Sequence, residues 1–278
     1  MSPEHAQSHS VSAPDWQAIF TLAVTLAREA GLELRQRFGH RAAMTLKGTF
    51  NPVTEADHAA ETLIRRGIQQ HFPTHAILGE EQGESNAQGA IRWIVDPLDG
   101  TVNYAHTFPH FAVSIGVADA HGVQVGVIYD PIREELFTAR RGQPAYCNGA
   151  VLQVSPTAEL QRALLATGFP YDGHLLEDNN HREFTALSMV CQGVRRPGTA
   201  SLDLAYVACG RLDGYWEQYL SPWDVAAGAL LVECAGGRLS TYTGTSYDGT
   251  GPQIVASNGW LHDAMLAQLA SVRGVAFP

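Results

Sequence analysis

Positive charge is scarce in this sequence. Lys and Arg together number 18 against 28 Asp and Glu, for a formal charge of −10 at pH 7. That balance argues against non-specific nucleic-acid binding through a basic face. A polyanionic ligand is also ill-matched unless cations stand between it and the protein. Cysteine is sparse: Cys147, Cys191, Cys209 and Cys234 lie far apart and none forms a CxxC pair. A zinc knuckle and a thioredoxin-like motif are thereby excluded, and buried free thiols in a reducing cytoplasm are expected. No apolar run approaches the ~18 residues of a membrane span. The opening stretch MSPEHAQSHSVSAPDW has no basic region followed by an apolar core. A cytoplasmic protein with a short disordered tail over 1–13 is the expectation.

What the sequence has is a large core. Of its 278 residues 45% are hydrophobic and 17% charged, enough for one large domain or two small ones. Ile19, Leu22, Ala23, Leu26, Ala30 and Leu34 recur at helical spacing from Pro14 or Asp15 to about Phe38. A short strand near Met44–Lys47 and a turn, GTFNP, precede a second helix from about Thr54 to His71. Strands are expected at Ala76–Leu78 and Ile91–Val95, with a polar loop, Gln82–Gly89, between them. Phe111–Ala118, Val123–Tyr129 and Glu135–Ala139 read as an antiparallel meander. Beyond about Val154 strands and helices alternate. Strands fall at Ala163–Thr167, Leu212–Trp216, Arg238–Ser240 and Gln253–Ala256, and helices at Glu177–Met189, Ser201–Cys209, Trp223–Ala235 and Trp260–Ala270. The expected organisation is an N-terminal α+β lobe over 14–153 and a C-terminal α/β lobe over 154–278, closely packed.

The acids are placed where α/β folds put their chemistry, at strand ends and helix starts. Asp57 falls in the first turn of a helix and Asp224 at the start of another. Glu80 and Glu81 follow one strand, and Asp96 and Asp99 another, in WIVDPLDG. Taken singly, Asp57 and Asp224 are ordinary helix-start acids, Glu80 is a loop acid and DPLDG is a turn. Taken together they repel: two carboxylates ~4 Å apart cost roughly 4 kcal/mol at an effective dielectric of 20. The basic residues near them in sequence are few, Lys47 and Arg92. A hard divalent cation with oxygen ligands resolves the conflict, and Mg²⁺ suits a cluster that also binds phosphate. A helix starting at Gly100-Thr101 would turn its free amides toward such a phosphate. His106 and His110 are read as structural, because Mg²⁺ prefers oxygen.

At these residues the sequence resembles the inositol monophosphatase family. Trp93–His106, WIVDPLDGTVNYAH, matches the family's first signature in full. Trp223-Asp224-Val225-Ala226-Ala227-Gly228 with Glu233-Cys234-Ala235-Gly236-Gly237 matches the second, with one Cys inserted. Val53–Asp57 and Gly79–Glu81 supply two further elements. Asn51-Pro52 departs from the Asp-Leu common there. The resemblance spans about residues 15–272. It implies an α/β fold of layered αβαβα type, like fructose-1,6-bisphosphatase, usually a homodimer, Mg²⁺-dependent and lithium-sensitive.

The resemblance also implies roles. Glu80, Asp96, the Leu98 carbonyl, Asp99 and Asp224 ligate two Mg²⁺ ions, and Asp57 reaches a third through water. Gly100 and Thr101 bind phosphate, and Glu80 and Thr101 activate a water. Gly198, Thr199, Ala200 and Glu217 contact substrate hydroxyls, with Asp99 and Asp224 at the same site. Asn103-Tyr104-Ala105-His106 and Gly168-Phe169-Pro170-Tyr171 resemble bacterial inositol-1-monophosphatases, which points to a small phosphorylated polyol, myo-inositol 1-phosphate. Histidinol phosphate, fructose 1,6-bisphosphate and 3′-phosphoadenosine 5′-phosphate are the alternatives. A reading of another class is a regulatory protein that binds the transcription machinery through Phe184–Val190 and Arg195-Arg196. No direct nucleic-acid or membrane binding is expected.

Overall fold

The structure, a computed structural model, describes residues 14–39, 44–46, 52–171 and 173–274. The expected tail over 1–13, and Lys47 with the turn that follows it, lie outside the described residues. The helices are α1 (Trp16–Arg37), α2 (Glu55–His71), α3 (Thr101–Ala105), α4 (His181–Ser188), α5 (Ala200–Ala208), α6 (Pro222–Cys234) and α7 (His262–Arg273). The strands are β1 (Met44–Leu46), β2 (Pro52–Thr54), β3 (Ala76–Gly79), β4 (Gly83–Ser85), β5 (Arg92–Asp99), β6 (Ala112–Asp119), β7 (Gly122–Asp130), β8 (Glu135–Arg140), β9 (Tyr146–Cys147) and β10 (Ala150–Val151). A second group comprises β11 (Leu164–Thr167), β12 (Gly193–Arg195), β13 (Gly214–Gln218), β14 (Arg238–Ser240) and β15 (Gln253–Ser257).

The elements form five layers. One sheet has eight strands in the order β10-β9-β8-β7-β6-β5-β3-β4, and a second has five, β12-β11-β13-β15-β14. On one face of the larger sheet, Ile19, Leu26 and Leu34 of α1 and Ile64 and Ile68 of α2 pack on Trp93, Val95, Val113 and Ile115. Its other face meets α5 and α6 through Ile94, Ala112 and Ile128, and the same core takes in Ala166, Tyr215 and Ile254 of the smaller sheet. The outer face of the smaller sheet, with Trp216 and Val255, carries Leu187 of α4 and Met265 and Leu269 of α7. The sequence explains the layering: α1 and α2 have an apolar stripe and a polar back, whereas α5 and α6, enclosed between two sheets, are apolar nearly all round. Asp15 starts α1 by accepting from the amides of Gln17 and Ala18 at 3.1 and 2.9 Å.

Several expectations shift by local physics. The strand expected to stop at Val95 runs through Pro97 to Asp99. Asp96 pairs with Ser114 but Asp99 with Ala112, so β5 carries one residue more than β6 across this interval. That is a β-bulge, where a proline is tolerated within a sheet. The loop over Gln82–Gly89 contains β4, hydrogen-bonded to β3. The helix expected from Glu177 begins only at His181. Asn180 before it adopts φ +71°, and its side chain donates to Thr167 Oγ1 and the Gly168 carbonyl and accepts from Trp216 Nε1. The strand expected from Leu212 begins at Gly214. All four cysteines are free, but each is partly exposed rather than buried.

Candidate active site

The β5 bulge decides where the acids point. Alternation along a strand puts residues three apart on opposite faces. The extra residue returns Asp99 to the face of Asp96, the side on which α5 and α6 pack. Leu98 between them is buried in the opposite core, against α1 and α2. The Asp96 carboxylate accepts from the Leu98 amide at 3.0 Å, which closes the bulge as a local turn. β3 runs parallel to β5, and the Glu80 amide donates to the Val95 carbonyl at 3.2 Å, so Glu80 emerges beside Asp96. Asp224 arrives from the start of α6, which lies on the same face. The Ser114 hydroxyl donates to the carbonyl of Trp223, the residue before it.

The acids act on one another electrostatically. Burial, and then the charges of Glu80, Asp99 and Asp224, hold the Asp96 carboxyl well above the usual carboxylate range. Burial pushes Asp99 up to about 6 against hydrogen bonds from Ser201, Ala200 and Gly100. Asp224 is raised by burial and then by Asp99 and Glu80. Among the described residues no Lys or Arg is a main cause of the shift of any of these three acids.

Asp57 sits deeper, at the third position of α2. Its Oδ2 accepts from the Thr54 amide and hydroxyl at 2.8 and 2.5 Å, a helix cap. Its Oδ1 accepts from Thr101 Oγ1 at 3.2 Å. Asp224 caps α6 in the same way, accepting from the Ser221 amide at 2.6 Å. The helix-start reading of both acids thus holds for one oxygen of each.

Gly100 precedes α3 at φ +94°, and a Cβ there would lie 2.5 Å from Thr199 Oγ1 and 3.0 Å from the His110 carbonyl. Only glycine fits both demands. The Thr199 hydroxyl and the Asn103 amide both donate to that His110 carbonyl, and Asn103 also reaches the Pro197 carbonyl. The Ser201 amide donates to Asp99 Oδ2 at 2.7 Å. Gly198, Thr199 and Ala200 are thereby fastened to the Asp99–Thr101 corner. Glu217 on β13 accepts from the Tyr215 hydroxyl at 2.5 Å, and burial pushes its carboxyl up to about 7. His110 is buried, and burial lowers its imidazole to about 4; His106 is exposed.

Two residues have a place here to which the sequence assigns no role. Asp203, one turn into α5, is 1% exposed with Oδ1 unpartnered, and after burial it is raised most by Glu217 and then Asp99. Asn103 stitches α3 to Pro197 and His110. For Asp203 the signal was a lone acid in the apolar run ASLDLAYVA; for Asn103 there was none beyond the signature itself.

The acids approach one another without closing on a common centre: among the described residues no three His, Cys, Asp or Glu side chains form a ready metal-holding group. The donor set still fits a hard divalent ion. It is all oxygen, Asp57, Asp96 and Asp99 are buried and Glu80 and Asp224 half-buried, and its members destabilise one another's charges in a way that a cation relieves.

A model of the inositol monophosphatase family matches residues 15–273. The chain is 43% identical over 268 residues to an inositol-1-monophosphatase of Synechocystis, covering 96% of this chain and 93% of that one. It is 44% identical over 261 residues to the Nus factor SuhB of Pseudomonas aeruginosa, covering 91% and 96%. The solved inositol monophosphatase of Anabaena superposes with a TM-score of 0.84 at 44% identity, covering 95% of this chain and 98% of that one. Layered fold and kinship together define a phosphatase, a hydrolase acting on a phosphorylated substrate. The chain belongs to the inositol monophosphatase family, whose members are generally Mg²⁺-dependent.

Proposed function

We propose that the protein hydrolyses myo-inositol 1-phosphate to myo-inositol and phosphate, with Mg²⁺ bound. The observation that carries the reading is Asp96, 2% exposed and set among Glu80, Asp99 and Asp224, so that burial and then their charges raise its carboxyl well above the usual range. In this reading Glu80, Asp96, the Leu98 carbonyl, Asp99 and Asp224 hold two ions, and Asp57 reaches a third. Such ions, when bound, would supply Lewis acidity toward the phosphoryl oxygens and the attacking water. Glu80 takes the proton of the attacking water, and Thr101 Oγ1 orients that water. Gly100 and Thr101 receive the phosphate. Glu217 and the Gly198–Ala200 segment receive the polyol hydroxyls. Lithium sensitivity and a homodimer belong to the same reading and rest on the resemblance; a cytoplasmic location rests on the unpaired cysteines. Among the described residues no helix is long and apolar enough to cross a membrane.

The test is phosphate release across a panel: myo-inositol 1-phosphate, histidinol phosphate, fructose 1,6-bisphosphate and 3′-phosphoadenosine 5′-phosphate. The inositol ester should give the highest kcat/KM. EDTA should abolish turnover and Mg²⁺ restore it. A preference for another ester overturns the substrate; activity with Zn²⁺ and none with Mg²⁺ overturns the site.

A second reading is regulatory, and the 44% identity to the Nus factor SuhB favours carrying it. Of the segments considered for a partner, Phe184 and Leu187 pack into the core, while Met189, Arg195 and Arg196 are exposed. Capture of bacterial transcription components by wild type and by an inactive Asp96→Asn variant alike would support it. Failure of both to bind sinks it.

A further inference from the structure

The turn that carries Glu80 rests on the side chains of α2. β3 and β4 pair as far as Gly79 and Gly83, and the residues between them form the turn. Glu61 Oε2 accepts from the Glu81 amide at 2.7 Å, and Oε1 from the Gln82 amide at 3.2 Å. Glu61 is fully buried. Arg65, one helical turn on, donates from Nε to Glu61 Oε1 at 2.6 Å. Its guanidinium also donates to Ser85 Oγ at 3.2 Å and, from the other terminal nitrogen, to the Gly83 carbonyl. The fit is tight: a Cβ on Gly79, the residue before Glu80, would lie 2.2 Å from Glu61 Oε1.

A buried ion pair is a poor source of stability, because desolvation consumes most of what the charges gain. What this pair supplies is geometry. Its partners are the amides of the Glu80 turn and the Gly83 carbonyl and Ser85 hydroxyl of the strand β4 that leaves it. Asp57, Glu61 and Arg65 succeed one another at four-residue steps along α2, so they share one face of a single rigid helix. That face meets Thr101 at one end and the Glu80 turn at the other.

We infer that Glu61 and Arg65 are positioning residues: they fix the Glu80 carboxylate relative to Asp57, and through it set the affinity of the site for divalent ions. The inference rests on the proposed role of Glu80. Nothing in it requires either residue to touch substrate or ion.

The test uses the full chain and the variants Glu61→Gln, Arg65→Met and the double variant. Mg²⁺ binding is followed by titration calorimetry without substrate, and kcat, KM and the thermal midpoint are measured beside it. Each single variant should weaken Mg²⁺ binding by about tenfold, the scale of losing an outer partner of a ligand. kcat should fall by a similar factor, with KM changed less than twofold. Each single variant also strands a buried polar or charged partner, so its thermal midpoint should drop. The double variant should recover the midpoint and keep the weak Mg²⁺ binding. Recovery of native Mg²⁺ affinity and kcat together with stability would show that the pair serves the fold alone, and would overturn the inference. Wild-type protein that neither binds Mg²⁺ nor releases phosphate would overturn the reading of Glu80 and this inference with it. Wild-type binding matched by all three variants overturns the inference alone.

Discussion

Thr101 Oγ1 lies 3.2 Å from Asp57 Oδ1 and 3.1 Å from the Leu98 carbonyl. Its one hydroxyl proton faces two acceptors. The hydroxyl is therefore held between an acid of α2 and the β5 bulge, with an oxygen lone pair left for a further donor. Thr101→Val keeps the shape and removes that oxygen. kcat should fall by about 10², the scale of losing one positioned polar group, while Thr101→Ser should stay within about threefold of wild type. Steady-state kinetics on both variants decide it; wild-type turnover in Thr101→Val would take the hydroxyl out of the function.

Asp96→Asn keeps the size of the side chain and removes the charge at the centre of the cluster. Turnover should drop by at least ~10³. The metal-free protein should melt no lower than wild type, because one of several mutually repelling buried charges is gone. Added Mg²⁺ should raise the midpoint of wild type much more than that of the variant. Near-normal turnover would remove Asp96 from the site.

Glu217 comes from β13, on the smaller sheet, with Tyr215 donating to it and the charge of Asp99 acting on it. Glu217→Gln should raise KM for inositol phosphate by about tenfold and change it little for a phosphate ester without ring hydroxyls. An equal effect on both substrates would assign Glu217 to the scaffold or to the ion site.

His262 supplies a pH dependence far from the acids. It is fully buried, with Nε2 at 2.8 Å from Ser240 Oγ and Nδ1 at 2.9 Å from Ser257 Oγ. Burial, helped by Arg238, lowers its imidazole from 6.5 to about 4. The unfolded chain takes up a proton near pH 6.5 and the folded chain resists until about pH 4. The stabilisation is therefore complete above 6.5 and lost as pH falls through this window. Up to about 3 kcal/mol follows from a shift of this size. Urea midpoints of wild type and His262→Gln, compared from pH 7.5 down to 4.5, should converge on the acid side. Parallel curves would show that His262 does not resist the proton.

The strongly periodic parts of the fold were legible. Ile19 to Leu34 of α1, and Ala56, Ala60, Ile64 and Ile68 of α2, face the core as their spacing predicts. The acids at strand ends and helix starts approach one another closely enough to raise the Asp96 carboxyl, but among the described residues no three of them form a ready metal-holding group. What escaped was tertiary. Pro97 reads as a stop, yet the strand continues through it, because a bulge removes the need for its missing N–H. Glu61 and Arg65 sit beside the apolar stripe of α2 and pass for its solvent side, until the Glu80 turn folds over them. Asn180 delays α4 through bonds to Thr167, Gly168 and Trp216, and no local pattern records residues so far apart in the chain.

The single extra residue in β5 makes the reactive corner a matter of odd and even. With it, Asp96 and Asp99 look the same way and Leu98 looks the other. Removing Leu98 would leave an unbroken ladder against β6, with no loss of strand length that matters to pairing. It would also take away the turn Asp96 closes on the Leu98 amide. Asp99 would then stand two places after Asp96 without a kink, and the corner that separates their carboxylates would be gone. Inserting one residue instead of deleting one would swing Asp99 through the sheet, into the hydrocarbon layer beneath Tyr104 and Phe111. A chain length that is right to one residue thus does here what a cofactor-binding loop of many residues does elsewhere.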